Sequence, residues 1–487
     1  MNRAARLHPW LKTIRVHFMP GVRPSKLQPE ILEKFRQAFI RNGHAIDAAP
    51  TEETDIVITD GDFGRPIQVP ESATFDLWRS HKLSRFPTVV SLAFLRTDDF
   101  GNIVSRLSRT IAKPNVDSAD YRYAGLSSEA YRVLSEQGRR GGPVLALSRI
   151  LQAQLKSFRV VLLVGESEPA RAYHFDLVGS TACTRREESE DAFYDDIVHR
   201  IATAVSTTAV TQHVRSDSVL PLATWDGLDS VRAMCRASAE FDRRHFFTDA
   251  VSMSDILDIP SVSENIARQY SEGCFATWDP TIGALVATIT GAAKLLNKGD
   301  ITPHDLVPIQ GPNAAGTGVI FHEVNGKEDH PPSSEAFEMM SIVRCAPERA
   351  CPLPGHSGTV VPTVRSQLHG HRGIRCYDPR SVEYTPLDET YFRYPVTCGT
   401  EAQAQALSQA LARSESLNDP EDARRVVFTI LPSHGVFIVE KWSADAAPFQ
   451  LIWEAMDKGA IQVEHAVPQA PFRYQNGQDG RLTRLET

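Results

Sequence analysis

The sequence predicts an α/β protein: two Rossmann-like α/β units followed by a β-rich C-terminal domain. Three observations carry this. Near the N-terminus, short alternating apolar runs surround one strongly amphipathic helical stretch. A second helical and apolar-strand alternation follows from about residue 156. After about Lys294, prolines and glycines become frequent and short strand-like runs replace helical ones. With 487 residues the chain is also too long for one ordinary core. The expected division is 1–155, 156–300 and 301–487.

Each element follows from its spacing. In "KTIRVHFMP", Ile14, Val16 and Phe18 alternate with polar residues, so a strand is expected. Ile31, Phe35 and Phe39 recur every four residues, which makes one helical face apolar, and Asn42-Gly43 ends that helix. "DIVITDGDFG" and "FPTVVSLAFLR" read as two further strands, an order that favours a largely parallel sheet. Helical patterns run from about Ser128 to Ser157, broken at Gly141-Gly142-Pro143. "FRVVLLVGE" reads as a strand buried on both faces, and "RAYHFDLVGS" as another. Phe193, Ile197, Ile201 and Val205 line one face of a helix. Beyond residue 300, "TGVIFHEV", "GTVVPTV" and "GIRCYD" are strand candidates, and "RRVVFTILPSHGVFIVEKW" is two strands around a turn. "APFQLIWEAMDKG" is a late helix with a glycine stop, and the tail "NGQDGRLTRLET" is expected to be loosely ordered.

Bulk properties exclude several function classes. A net charge of −8 without a long basic stretch argues against nucleic acid and anionic membrane as partners. No apolar run approaches the ~20 residues of a membrane span. The N-terminus lacks the apolar core of a secretory signal, and seven cysteines without a CxxC pair argue against a disulfide framework or zinc ribbon. A cytoplasmic location with reduced thiols is expected. Complete dinucleotide, P-loop, zincin and lipase-type motifs are missing. "GPNAAGTGV" is better read as a hairpin loop than as a phosphate cradle, and Arg139 and Arg140 before a double glycine as an interhelical turn.

The polar clusters then decide where chemistry could sit. In "RSQLHGHRGIRCYDPR", His369 and His371 are two apart, so on a strand both face one side. They could share a metal or bind a sugar hydroxyl or phosphate, with Arg372 adding anion contacts; the structural alternative is a β-loop whose histidines bond to backbone. His434, in a turn between two apolar strands, must be paired or must serve a ligand. His322 and Glu323 fall on opposite faces of their strand, which weakens them as a joint site. Further upstream, "YSEGCFATWDPTIGALVATIT" places Glu272, Cys274 and Asp279 before an apolar run. Asp279 precedes Pro280 and is placed to cap a helix starting there. The same carboxylate could hold a divalent cation if other ligands converge on it.

"SEGCFATWDPTIGALVATITG" and "LPSHGVFIVEKW" resemble two patches of the L-fucose isomerase-like family, an acidic segment ahead of a Gly-Ala-Leu helix and a late turn that supplies a histidine. The resemblance covers only these two patches; the family's acidic residue after the cysteine is Phe275 here. It implies Asp279 and His434 as metal ligands, with Glu264 or Glu272 as the upstream glutamate. It further implies a divalent metal, Mn²⁺ for preference, and a homo-oligomer acting on an open-chain sugar. Glu272 and Asp279 would then move protons between C1 and C2 through an enediol. Two rival readings are a sugar or polyol hydrolase or aldolase built on His369 and His371, and a non-catalytic ligand-binding or assembly protein on an enzyme-like fold.

Overall fold

A computed structural model describes residues 13–19, 28–61, 88–96, 157–164, 169–175, 182–185, 189–206, 213–247, 273–289, 299–327, 330–389, 391, 396, 399–419, 421–432, 434–464 and 472–486. The helices expected between 128 and 156, Arg139, Arg140, Glu264 and Glu272 lie outside the described residues. The chain is a mixed α/β protein with two large sheets.

The first sheet holds β1 (Arg15–Met19), β2 (Ala45–Asp47), β3 (Ile56–Gly61), β4 (Thr88–Arg96), β5 (Ser157–Val164), β6 (Pro169–Phe175) and β7 (Ala182–Arg185), in the order β2-β1-β3-β4-β5-β6-β7. Its first five strands run parallel; β6 and β7 are antiparallel additions. Helix α1 (Gln28–Arg41) buries Ile31, Phe35 and Phe39, as its four-residue spacing predicts. Burying each such side chain contributes about 1.5–3 kcal/mol. Gly43, at φ 80°, supplies the left-handed residue that ends the helix. Helix α2 (Glu190–Ser206) packs beside α1 and buries Phe193, Ile197 and Ile201. The expected boundary at 155/156 falls between β4 and β5, which pair with each other, so the second strand–helix alternation extends the first sheet.

The second sheet holds β8 (Val214–Leu220), β9 (Cys274–Asp279), β10 (Ala284–Thr288), β11 (Leu306–Pro312), β12 (Val319–Val324), β15 (Val364–Gly370), β17 (Val382–Tyr384), β18 (Val426–Leu431) and β19 (Gly435–Lys441). Their order is β17-β18-β19-β15-β9-β10-β11-β12-β8. Three short pairs complete the strands: β13 (Glu348–Ala350) with β14 (Val360–Pro362), β16 (Gly373–Tyr377) with β20 (Ile461–Glu464), and β21 (Phe472–Asn476) with β22 (Leu482–Glu486). The expected boundary at 300/301 crosses this sheet, because β10 pairs with β11. The change of sheet falls instead between Ser206 and Val214.

Two further expectations are corrected here. No helix begins at Pro280: residues 280–283 form a turn, and Ala284–Thr288 return antiparallel to β9. Five successive buried apolar or small residues fit a strand buried on both faces as well as a core helix, and flanking Thr and Ile tip the balance. The tail is a hairpin, with Asn476-Gly477-Gln478-Asp479-Gly480 joining β21 to β22. The remaining described α-helices are α3 (Leu222–Gly227), α4 (Asp229–Arg243), α5 (Ala336–Cys345), α6 (Glu401–Ala412), α7 (Glu415–Asn418) and α8 (Gln450–Asp457). Among the described residues no helix is long and apolar enough to cross a membrane.

Candidate metal centre

Strands β19, β15 and β9 are neighbours in the middle of the second sheet, and every residue of β15 and β19 is buried. A polar side chain there must find a partner or leave a costly unmet demand. The register sets His369 between Cys274 on one side and Phe437 on the other. His371 follows the end of β15, and His434 precedes the start of β19. The antiparallel pairing brings these two ends together, so three imidazoles from two segments converge.

Close backbone approach makes this possible. A Cβ at Gly435 would overlap the carbonyl oxygen of Gly370. At Gly273, with φ +71°, it would sit 2.8 Å from the carbonyl oxygen of His369.

The ring centroids of His369 and His434, and of His371 and His434, are each 4.7 Å apart; those of His369 and His371 are 5.3 Å apart. One ring nitrogen from each lies within 4.8 Å of the others, so the cluster could hold a metal ion. The His434 and His371 Nε2 atoms are 3.1 Å apart. Two nitrogens on one tetrahedral ion, at about 2.0–2.1 Å each, would be about 3.3 Å apart. His369 and His434 are buried and His371 is half-buried.

Glu335 completes the group. It is the residue before α5, and its side chain does not cap that helix. Its Oε1 lies 3.2 Å from Nε2 of both His369 and His434, and its Oε2 accepts from the Cys274 thiol at 2.9 Å. Burial pushes the Glu335 carboxyl up, but the imidazoles of His369 and His434 more than offset this and hold it well below the usual range. Burial lowers His434 to about 3, with a contribution from the neighbouring imidazoles, so this ring is neutral. The buried centre thus sets three imidazoles, that of His434 neutral, beside one carboxylate.

The fixed tautomers are informative. His369 Nδ1 donates to the Val436 carbonyl at 3.0 Å, which turns Nε2 toward the cluster. That buried Nε2 has no hydrogen-bond partner, because Glu335 approaches it outside hydrogen-bond geometry. It faces the centre of the cluster as a ready ligand, and its other nitrogen is already oriented by a carbonyl.

The expected site residues separate into distinct groups. His369, His371 and His434 come together; His369 also bonds to backbone, as the structural alternative expects, but from a buried strand and not from a solvated loop. Asp279 does not join them. It stands at the opposite end of β9 from Cys274, five residues or about 16 Å along the strand. Its carboxylate accepts from Ser230 Oγ at 2.6 Å, Thr281 N at 2.8 Å and Ile282 N at 3.2 Å, which holds the β9–β10 turn. The expected sharing of one ion by Asp279 and His434 is thus replaced by a turn role for Asp279. Arg372, expected to meet substrate, is buried and donates to the carbonyls of Phe246 at 3.3 Å and His245 at 2.7 Å. Glu272 lies outside the described residues. Glu323 pairs with Arg215 away from the cluster, across β12 and β8.

Sequence reasoning missed Glu335 and Gln403. Glu335 and Glu338 are one turn apart among Ala336, Met339, Ile342 and Val343, so they fall on the apolar side of α5. Carboxylates interrupting an apolar helical face were the available signal. Gln403 lies in the first turn of α6 behind the N-cap Thr400, and its Nε2 is 2.9 Å from His434 Nδ1. Comparison with protein-family models, curated proteins and solved structures finds no match.

Proposed function

We propose that this protein is a metal-dependent hydrolase whose ion is held by His369, His371 and His434, with Glu335 as general base. The observation that carries this reading is the position of the Glu335 carboxylate oxygen, 3.2 Å from the Nε2 of two of the three imidazoles. An ion among neutral imidazoles keeps most of its charge and would supply Lewis acidity to a water or a substrate oxygen. Glu335 then stands close enough to take a proton from an oxygen atom at that place. That spacing is also the one expected between two ligands of one ion, so Glu335 could help hold the ion as well as take the proton. The isomerase reading needs Asp279 beside His434, and the turn bonds of Asp279 speak against it.

The donor set also bears on the metal. Imidazoles suit zinc and iron, whereas Mn²⁺ is suited by carboxylate and carbonyl oxygens; zinc is our first choice. The partly exposed His371 marks the side from which a small molecule would reach the ion, and a sugar or polyol derivative is the substrate class proposed. The parallel order β2-β1-β3-β4-β5 is that of flavodoxin-like doubly wound sheets, which supports reading residues 13–206 as one such unit.

The test is elemental analysis of protein purified without chelators, followed by a panel of glycosides, lactones and phosphate esters. About one equivalent of zinc is expected, lost in His369→Ala. Glu335→Gln should keep the ion and lose roughly 10²–10⁴-fold in rate. A metal-free protein that gains no activity with any first-row ion would overturn the reading.

A further inference from the structure

The three histidines are not equally prepared for an ion, and Gln403 is the reason. The Gly399 N–H donates to Gln403 Oε1 at 3.1 Å, which fixes the amide orientation and turns its NH₂ toward His434. That NH₂ lies 2.9 Å from His434 Nδ1, so Nδ1 must accept. The neutral ring therefore carries its proton on Nε2. This is the nitrogen that faces Glu335 Oε1 at 3.2 Å and His371 Nε2 at 3.1 Å. His369 is opposite in sense, with Nδ1 donating to a carbonyl and Nε2 turned to the cluster without a hydrogen bond.

We infer that Gln403 is a positioning residue that holds His434 in the tautomer unable to ligate, so that ion uptake requires the His434 proton to change nitrogens and the Gln403 amide to turn over. The inference rests on the three-histidine reading above. On uptake one N–H bond breaks at Nε2 and one forms at Nδ1. Glu335 or water takes the first proton and solvent supplies the second, so the ring stays neutral and gains no net proton. After the amide turns, Oε1 accepts from Nδ1–H, but the NH₂ meets the Gly399 N–H, two donors facing each other. The bound state is therefore penalised by an unmet backbone donor. A glutamate at 403 removes this conflict, because its carboxylate accepts from Gly399 and from His434 together. Carboxylate partners of this kind typically shift affinity by roughly 10–100-fold.

The experiment combines ¹⁵N-histidine NMR of the full chain with zinc titration against a chromophoric chelator. The His434 signals are assigned by their loss in His434→Ala. In the metal-free wild type, His434 should be protonated on Nε2, and on zinc addition the proton should appear on Nδ1. Gln403→Glu should carry the Nδ1 proton before zinc is added and bind zinc roughly 10–100-fold more tightly. A wild-type His434 already protonated on Nδ1 without metal overturns the inference, and this arm needs only the His434→Ala spectrum for assignment. A folded Gln403→Glu that binds zinc no more tightly also overturns it. Zinc binding that survives in His369→Ala marks a different failure: the three-histidine site itself is wrong, and the role of Gln403 goes with it.

Discussion

The two ends of strand β9 carry polar groups of similar kind and treat them differently. At the Asp279 end, each carboxylate oxygen has a partner supplied by the turn or by Ser230, and that bonding accounts for the residue without a ligand. At the Cys274 end, the thiol bonds to Glu335, which faces imidazoles whose nitrogens point at each other, the buried Nε2 of His369 among them without a hydrogen bond. A polar group satisfied by its own backbone neighbourhood is explained by folding. Several groups brought together from distant segments, with one still unmet, require something more. By that contrast the Cys274 end, where groups from distant segments converge, is the candidate site.

The largest effect that would test this contrast comes from two glycines. Gly435→Ala would drive a Cβ into the Gly370 carbonyl, with the Cα of His371 only 2.9 Å away. Strands β15 and β19 must separate there, at a cost of about 3 kcal/mol, and His371 should part from His434. At the opposite end, Gly283 has φ +58°, unlike Gly435, but a Cβ there would meet nothing within 4 Å. Gly283→Ala should cost only about 1–2 kcal/mol of backbone strain and leave metal binding intact. Urea unfolding with zinc titration of both variants checks the pair; equal effects on zinc would erase the distinction between the two ends.

A smaller effect is expected from the ligands themselves. If the imidazoles hold the ion, zinc at 100 times its dissociation constant should stabilise the wild type by about 2.7 kcal/mol. His369→Ala should lose nearly all of that increment. Thermal melts with and without zinc make the measurement, and an unchanged increment in the variant would remove His369 from the site.

Much of this was legible in the sequence, for physical reasons that differ by element. Helices α1 and α2 announce themselves because four-residue spacing has one interpretation, and the two strands around His434 because each is a short β-branched apolar run between turn residues. The His369/His371 pair was legible as a polar cluster, but strand alternation does not explain it, because β15 ends at Gly370 and His371 lies just beyond. The β9–β10 hairpin was not, since Asp-Pro opens turns and helices alike and a buried five-residue run lacks periodicity. Glu335 was not, because a residue 34 positions before His369 meets it only through the order of the sheet and the placement of α5. Convergence of that kind is a property of topology.

Glu440 adds a pH-dependent test in the same sheet. It sits opposite Ser366, whose other neighbour is Thr277 near the Asp279 end. Its Oε1 accepts from Ser366 Oγ at 2.7 Å and from the Phe449 N–H, while its buried Oε2 has no partner. Burial raises the carboxyl to about 7, against hydrogen bonds from Ser366 and Phe449 that act in the other direction. Because the folded value lies above the unfolded one of about 4.3, protonation favours the native state. The resulting stability is fully present below about pH 4 and is lost as pH rises through about 7, a change of roughly 4 kcal/mol. Glu440→Gln should flatten that part of the pH profile of unfolding free energy. A slope unchanged from wild type between pH 5 and 7 would show that Glu440 does not titrate there.

The smallest effect should belong to Asp279→Asn, and it discriminates best. In the turn, Oδ1 accepts both backbone N–H groups of Thr281 and Ile282, and an asparagine carbonyl can do the same. The amide NH₂ would replace Oδ2 and face Ser230, whose hydroxyl can rotate from donating to accepting. The exchange should therefore change stability by no more than about 1 kcal/mol, whereas Asp279→Ala strands these partners and should cost about 1–3 kcal/mol. Neither variant should alter zinc content, because the turn lies at the far end of β9 from the imidazoles. A carboxylate that ligates an ion gives the reverse pattern: Asn keeps the shape and removes the charge, so the ion leaves while the fold persists. Elemental analysis and urea unfolding of the two variants separate these cases. An Asp279→Asn protein that is fully stable yet metal-free would put Asp279 back on the ion and restore the isomerase-like arrangement over the three-histidine one.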